Sequence, residues 1–314
     1  MLSRTADHLY WMSRYIERAE GLARLVDAHY RMSLLPNSAD TLVNSLRDSM
    51  VTLRVLDEYS VRHGAVIPNA AFQFLTTDRE FSGSILSCLR SARENARAVR
   101  GSLTSELWET LNATWLDARA MTQVGSGSVD TGQFVEWVKE RSHLTRGVSI
   151  GTMLRDEAFY FTRIGTFLER GDSTARLLQA RRRDLLPGSD AASVPDPFEW
   201  SILLRSLSAF EIYRRIYRNV ITPINVADML LLRDEFPRSL IRCAKEVYSN
   251  VRSVANTQSA ETVRRAGSMH ARLQFGRMSE ITDVGIGVFL DAYVGQLADL
   301  GNRVASDFLV PVGA

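Results

Sequence analysis

Lysine is almost missing from this chain. Lys139 and Lys245 are its two instances, so arginine supplies nearly all of the 38 basic residues. Such a bias follows from arginine-rich codon usage, or from selection for planar guanidinium groups that grip carboxylates or phosphates through two hydrogen bonds. The sequence leaves both open. Cysteine is scarce as well. Cys88 and Cys243 stand alone, with no pair at zinc spacing, and read as small apolar core residues rather than a disulfide framework. No run of eighteen apolar residues exists, so no membrane span is expected. The N-terminus MLSRTADHLYWM lacks the apolar stretch of an export signal, and a cytoplasmic location is the expectation. Acid and base nearly cancel at a formal net charge of +2, which gives no general nucleic-acid footprint.

Motifs for nucleotides and metals are missing too. No Gly-x-x-x-x-Gly-Lys loop occurs, and Gly285-Ile286-Gly287 has neither a preceding strand nor a third glycine. Glu140-Arg141-Ser142-His143 has the Glu-x-x-His spacing of a di-iron bundle, but no second copy accompanies it. No cofactor or metal is expected in this chain. Strand signals are likewise absent, with no alternating run bounded by Asn-Gly or Asp-Gly turns.

What the chain does have is helical periodicity along nearly its whole length. Leu9, Met12, Ile16, Ala19, Ala23 and Val26 recur at three- and four-residue spacing, which predicts a helix over 3–34 ended by Pro36-Asn37. The same pattern predicts helices at 40–60, 69–76, 82–100, 104–122, 131–148, 153–185, 198–219, 223–232, 237–255, 258–276 and 281–308. The sequence GSGS at 125–128 reads as a loop, and 186–197, with three prolines and a glycine, reads as a linker or crossover. The expected fold is all-α: a bundle of long antiparallel helices.

One motif is written twice. IERAEGLARLVDA begins at Ile16 and LERGDSTARLLQA at Leu168. At a constant offset of 152, Glu17, Arg18, Ala23, Arg24, Leu25 and Ala28 recur as Glu169, Arg170, Ala175, Arg176, Leu177 and Ala180, and Glu20 recurs as the acid Asp172. A second block follows at an offset of 155: Pro68, Leu75, Glu80, Phe81, Ser84, Cys88, Asn95, Arg97 and Val99 recur as Pro223, Leu230, Glu235, Phe236, Ser239, Cys243, Asn250, Arg252 and Val254. A unit of this length is too long for a solenoid repeat. The pattern predicts one domain over 1–314 built from two pseudo-symmetric halves, about 1–150 and 151–314.

Residues three, four and seven apart share a helix face. Glu17, Glu20 and Arg24 therefore line up, with Arg14 one turn earlier, and Glu169, Asp172 and Arg176 line up in the second copy, where Thr166 replaces Arg14. These charges lie beside a core-facing apolar stripe. Two readings, not exclusive, are open. In one, the charges lock helices together, Glu17 meeting Arg170 while Glu169 meets Arg18. In the other, Glu17, Arg18, Glu20, Arg24, Glu169, Arg170, Asp172 and Arg176 form a seam that binds a ligand or partner. Burial beside arginine lowers a carboxyl pKa, which favours an electrostatic role over proton transfer. A second candidate surface is cationic: Arg214, Arg215 and Arg218 on adjoining helix faces, and Arg238 at a predicted helix start, where free backbone N–H groups suit an anion. Arg181-Arg182-Arg183 at a helix end suits the helix dipole.

The segments YWMSRYIERAEGLARLV, FYFTRIGTFLERGDSTARLL, SARENARAVRGSLTSELWETLN and EIYRRIYRNVITPINVADMLLLRDEFPRSL together resemble the alpha-E family of bacterial helical proteins, over essentially the whole chain. The resemblance implies an all-helical domain. It also implies association with a circularly permuted ATP-grasp protein, often with a transglutaminase-like peptidase, in ATP-dependent formation of amide or peptide bonds. ATP and Mg would sit on the ATP-grasp partner. The expected role is an accessory subunit of that ligase system. A stand-alone enzyme acting on a peptide or amino-acid-like substrate through Glu17 and Glu169, and a homodimeric structural protein, are the alternatives.

Overall fold

The computed structural model describes residues 1–35, 39–123, 129–181, 197–218 and 220–309; the predicted Pro36-Asn37 stop, the GSGS loop, Arg182-Arg183 and most of the 186–197 linker lie outside them. Among the described residues there are fifteen α-helices and no strand. They are α1 Ser3–Ser33, α2 Ala39–Thr52, α3 Leu56–His63, α4 Pro68–Thr76, α5 Ile85–Ala98, α6 Ser105–Met121, α7 Thr131–Thr152, α8 Glu157–Gln179, α9 Pro197–Ser206, α10 Phe210–Tyr217, α11 Pro223–Leu232, α12 Leu240–Ser253, α13 Ala260–Gln274, α14 Met278–Val284 and α15 Ile286–Phe308.

Local chemistry sets many of the ends. The side chains of Ser84, Thr104, Asp130, Asp156, Thr222 and Ser239 each accept a backbone N–H in the first turn of the following helix, satisfying donors that have no partner within the helix. Pro68 and Pro223 open α4 and α11, where a missing N–H costs nothing.

Three predicted helices are broken in two. The 40–60 helix stops after α2 because Arg54 takes a left-handed backbone, φ 59°, with the Val55 N–H returning to the Met50 carbonyl. The 198–219 helix stops after α9 in the same way: Ser208 has φ 54°, and the Ala209 N–H returns to the Leu204 carbonyl. This six-to-one closure around a left-handed residue is a Schellman stop, and neither residue is the glycine that would have announced it. The 281–308 helix is divided at Gly285, φ 94°, and its two pieces, α14 and α15, meet at 97°. The 82–100 helix ends at Ala98 in a 3-10 turn over Arg100–Ser102.

The two motif helices, α1 and α8, pack along each other at the centre. Gly165 on α8 faces the Tyr10 carbonyl and the Ser13 hydroxyl of α1, and Gly21 on α1 faces Ser173 of α8, so small residues let the backbones approach. One apolar core lies between the C-terminal part of α1 and α2–α5 with α7; it includes Val26, Leu46, Met50, Phe72, Phe134 and Val138. The other joins the N-terminal part of α1 to α8, α11–α13 and α15, and includes Leu9, Ile164, Trp200, Leu240, Val247 and Leu290. α5 lies against α1, and α12 against α8. Cys88 and Cys243 are buried, free thiols, and burial pushes the pKa of each up to about 12.

No single helix among the described residues is long and apolar enough to cross a membrane.

Candidate functional site: a buried seam of carboxylates and guanidinium groups

The Glu-Arg motifs exchange partners across the α1–α8 contact. Arg170 donates to both carboxylate oxygens of Glu17, at 2.8 and 2.7 Å. Arg18 donates to both oxygens of Glu169, at 2.6 and 3.1 Å. Each motif's acid is therefore held by the other motif's base in a two-point fork, the strong form of a carboxylate–guanidinium pair.

More arginines converge on each acid than the motif supplies. Glu17 also accepts from Arg238 at 2.9 Å and from Arg146 at 3.4 Å. Glu20, with no exposed side-chain surface, accepts from Arg24 at 2.9 and 2.7 Å, from Arg238 at 2.6 Å, and from Arg146. Glu169 takes a second guanidinium, that of Arg14, at 2.7 Å. Arg14 in turn donates to the Tyr10 hydroxyl at 3.0 Å and lies over the Trp11 ring. Arg170 rests on the Phe167 ring. Asp172 and Arg176 form a local pair at 2.7 Å, partly open to solvent, in the same i,i+4 relation as Glu20 and Arg24.

The electrostatic consequence is uniform. Burial pushes the Glu17 carboxyl up, but Arg170 and Arg238 more than reverse it and hold the group well below the usual carboxylate range. Burial and the charge of Glu17 act against ionisation of Glu20, and Arg238, Arg146 and Arg24 outweigh both. Glu169 is lowered by Arg14 and Arg18 against its own burial. All three acids are thus fixed as carboxylates with their oxygens occupied, and a general acid or base needs the opposite: a pKa near the working pH and a free lone pair or proton.

The sequence grouped Arg238 with a cationic surface. The structure places it elsewhere: it is buried and bridges Glu17 to Glu20. Its own carbonyl accepts from Thr174 of α8. Arg214, Arg215 and Arg218 do lie exposed on and just after α10. Arg146 and His143 of α7 also belong to the seam, although neither lies in the repeated motif. His143 contacts Arg24 through Nε2 at 3.0 Å and Arg146 through Nδ1 at 3.3 Å, so the one Glu-x-x-His segment spends its histidine on guanidinium groups. Among the described residues no three His, Cys, Asp or Glu side chains are grouped to hold a metal ion.

A family model described as a predicted alpha-helical domain with a conserved ER motif matches residues 1–309, and the chain belongs to that family, Alpha-E. An uncharacterized protein of Mycobacterium bovis is 25% identical over 319 residues, covering 95% of this chain and 34% of its own length. An uncharacterized protein of Mycobacterium tuberculosis is 24% identical over the same share of each chain. The chain thus spans about a third of the length of the curated relatives it matches. No solved structure matches it.

Proposed function

We propose that this Alpha-E protein is a helical accessory subunit that docks on an ATP-grasp-type amide or peptide ligase and contributes shape and binding surface rather than proton transfer. ATP and Mg belong to the partner, as does the bond-forming step. The observation that carries this reading is the saturation of the seam: Glu17, Glu20 and Glu169 are buried, ionised and occupied by internal arginines. Residues so committed build the protein. The length of the relatives, in which the matched region is about a third of the chain, suits a module that works beside other domains. The exposed Arg214, Arg215 and Arg218 offer a cationic face for an acidic partner surface, and a transglutaminase-like peptidase is a second candidate for the same assembly.

We infer further that the chain is an internal duplication whose halves are related by an approximate two-fold axis through the α1–α8 contact. Three correspondences support it: the exchanged Glu-Arg pairs, the paired Ser84 and Ser239 caps, and the left-handed stops at Arg54 and Ser208. A fourth comes from buried tyrosines. The Tyr59 hydroxyl accepts the Ile67 N–H, and the Tyr213 hydroxyl accepts the Thr222 N–H.

The test is co-purification with the ATP-grasp partner, followed by ATP-dependent amide formation assayed with and without this chain. The expected result is a stable complex and product formation that needs both. Turnover by the pure chain alone would refute the accessory role.

A further inference from the structure

The two motif regions differ at one aligned position beside a cavity. Directly before its capping serine, Ser239, the C-terminal region has Arg238, which fills the space beside Glu17 and Glu20. Directly before Ser84, the N-terminal region has Gly83. The Phe81 ring packs against Gly83, and a cavity of about 400 Å³ opens beside the two. That volume lies within the usual range of small-molecule sites. Its walls are of two kinds. Leu25, Leu53, Phe81 and Leu177 make an apolar side, and Arg18, Arg54, Arg176, Glu169 and Asp172 bring charge.

The charges do not balance. Glu169 is already held by Arg14 and Arg18, and Asp172 takes only the Nε of Arg176. Neither terminal nitrogen of Arg176 donates to any described residue. Arg54 is exposed and has no carboxylate partner among the described residues. It also sits at a left-handed position, φ 59°, which glycine would occupy with less strain. A long cationic side chain kept at a strained turn on a cavity wall calls for a reason in the cavity.

The left-handed stop at Ser208, the position that aligns with Arg54, supplies a comparison. There the Ser208 hydroxyl accepts from Arg24, the residue that matches Arg176 in the repeated motif. In the cavity half the corresponding residues are Arg54 and Arg176, two cations that both line the opening. An anion between them replaces the missing acceptor. Because Glu17, Glu169 and Asp172 also line the space, a single negative charge suits it better than a doubly charged phosphate. The apolar wall calls for a hydrophobic body on the same molecule.

We propose that this cavity binds a small monocarboxylate with an apolar body, its carboxylate held between Arg54 and Arg176 and its body against Leu53 and Phe81. The site shares a wall with the saturated seam through Arg18 and Glu169, but its proposed anion contacts, Arg54 and Arg176, lie outside the saturated pairs, and it does not depend on the ligase partner. Its failure and the failure of the accessory role are therefore read in different experiments.

The test uses 3-phenylpropionate as probe, titrated into the full chain by calorimetry, with 3-phenylpropionamide and inorganic phosphate as comparisons. The wild type is expected to bind one equivalent of 3-phenylpropionate in the millimolar range or tighter, and both comparison ligands more weakly. Arg54→Gly is expected to melt no lower than wild type, because glycine relieves the turn, yet to bind the probe about tenfold or more weakly, the loss of a charge-assisted hydrogen bond. Arg176→Gln, which keeps a hydrogen bond for Asp172, is expected to weaken binding likewise and gives the same readout if the Arg54→Gly chain folds poorly. Wild type that binds no probe at millimolar concentration, amide or phosphate that binds as tightly as the acid, or full affinity in either variant would overturn the assignment.

Discussion

Replacing Glu17 by alanine removes the acceptor of four hydrogen bonds from three guanidinium groups. The consequences differ among the three. Arg238 keeps Glu20 at 2.6 Å, and Arg146 keeps Glu20 as well. Arg170 keeps only the Pro237 carbonyl at 3.4 Å and the face of Phe167. It becomes a buried, unpaired cation, and breaking a buried pair by removing one partner costs about 3–5 kcal/mol. At about 2 °C per kcal/mol for a chain of this size, the melting temperature should fall by about 6–10 °C. The double variant Glu17→Ala, Arg170→Met removes the orphaned charge and should recover much of the loss, since apolar replacement of a buried pair is often close to neutral. Differential scanning calorimetry on wild type, both single variants and the double variant closes the cycle. A Glu17→Ala chain that melts within a degree of wild type would refute the structural reading of the seam and return Glu17 to the candidates for a functional group.

Two glycines on the same helix contact should respond in opposite directions. Gly165→Ala places a methyl group against the Tyr10 carbonyl and the Ser13 hydroxyl; a backbone atom cannot swing aside, and overpacking of this kind costs about 1–3 kcal/mol. Gly21→Ala meets only the Ser173 hydroxyl at 3.6 Å and should gain about 0.5–1 kcal/mol from the better helix former. Urea midpoints read both, and equal effects would mean that α1 and α8 are not this close. Stability should also fall with acid in two stages. His29 is buried, pushed down by burial, and its Nδ1 is 2.8 Å from the Leu25 carbonyl. Its contribution is present above the ordinary histidine value of about 6.5 and is lost as pH falls below that value toward the depressed folded one. The lowered Glu17, Glu20 and Glu169 add a steeper loss that begins below the ordinary glutamate value of about 4.3. A urea midpoint that rises between pH 7 and pH 5 would contradict the first stage, and one that holds level from pH 4 downward would contradict the second.

The helices were legible because apolar periodicity is a local signal, and Thr104, Asp130 and Pro68 announce their helix starts in the residue types themselves. The stops at Arg54 and Ser208 were not legible. A left-handed residue that is not glycine has no signature in composition, and in both places the apolar pattern runs on through the turn. The exchange of Glu17 with Arg170 and of Glu169 with Arg18 could be written down from the repeat, because matched motifs on adjacent helices leave few other partners. Arg146 and His143 could not, since they come from a third helix and no spacing rule links them to α1. Arg238 is the instructive case. It sits in a segment, Phe236-Pro237-Arg238-Ser239, that reads as an exposed helix start, and charge alone puts an arginine outside. What marks it as an interior residue is its counterpart. Phe236 and Ser239 match Phe81 and Ser84, but between them Arg238 faces Gly83. At this one aligned position the first segment has the smallest residue and the second an arginine. In the structure Arg238 lies in a filled, charge-saturated interior, while Gly83 lies on the wall of an open cavity edged by Arg54 and Arg176.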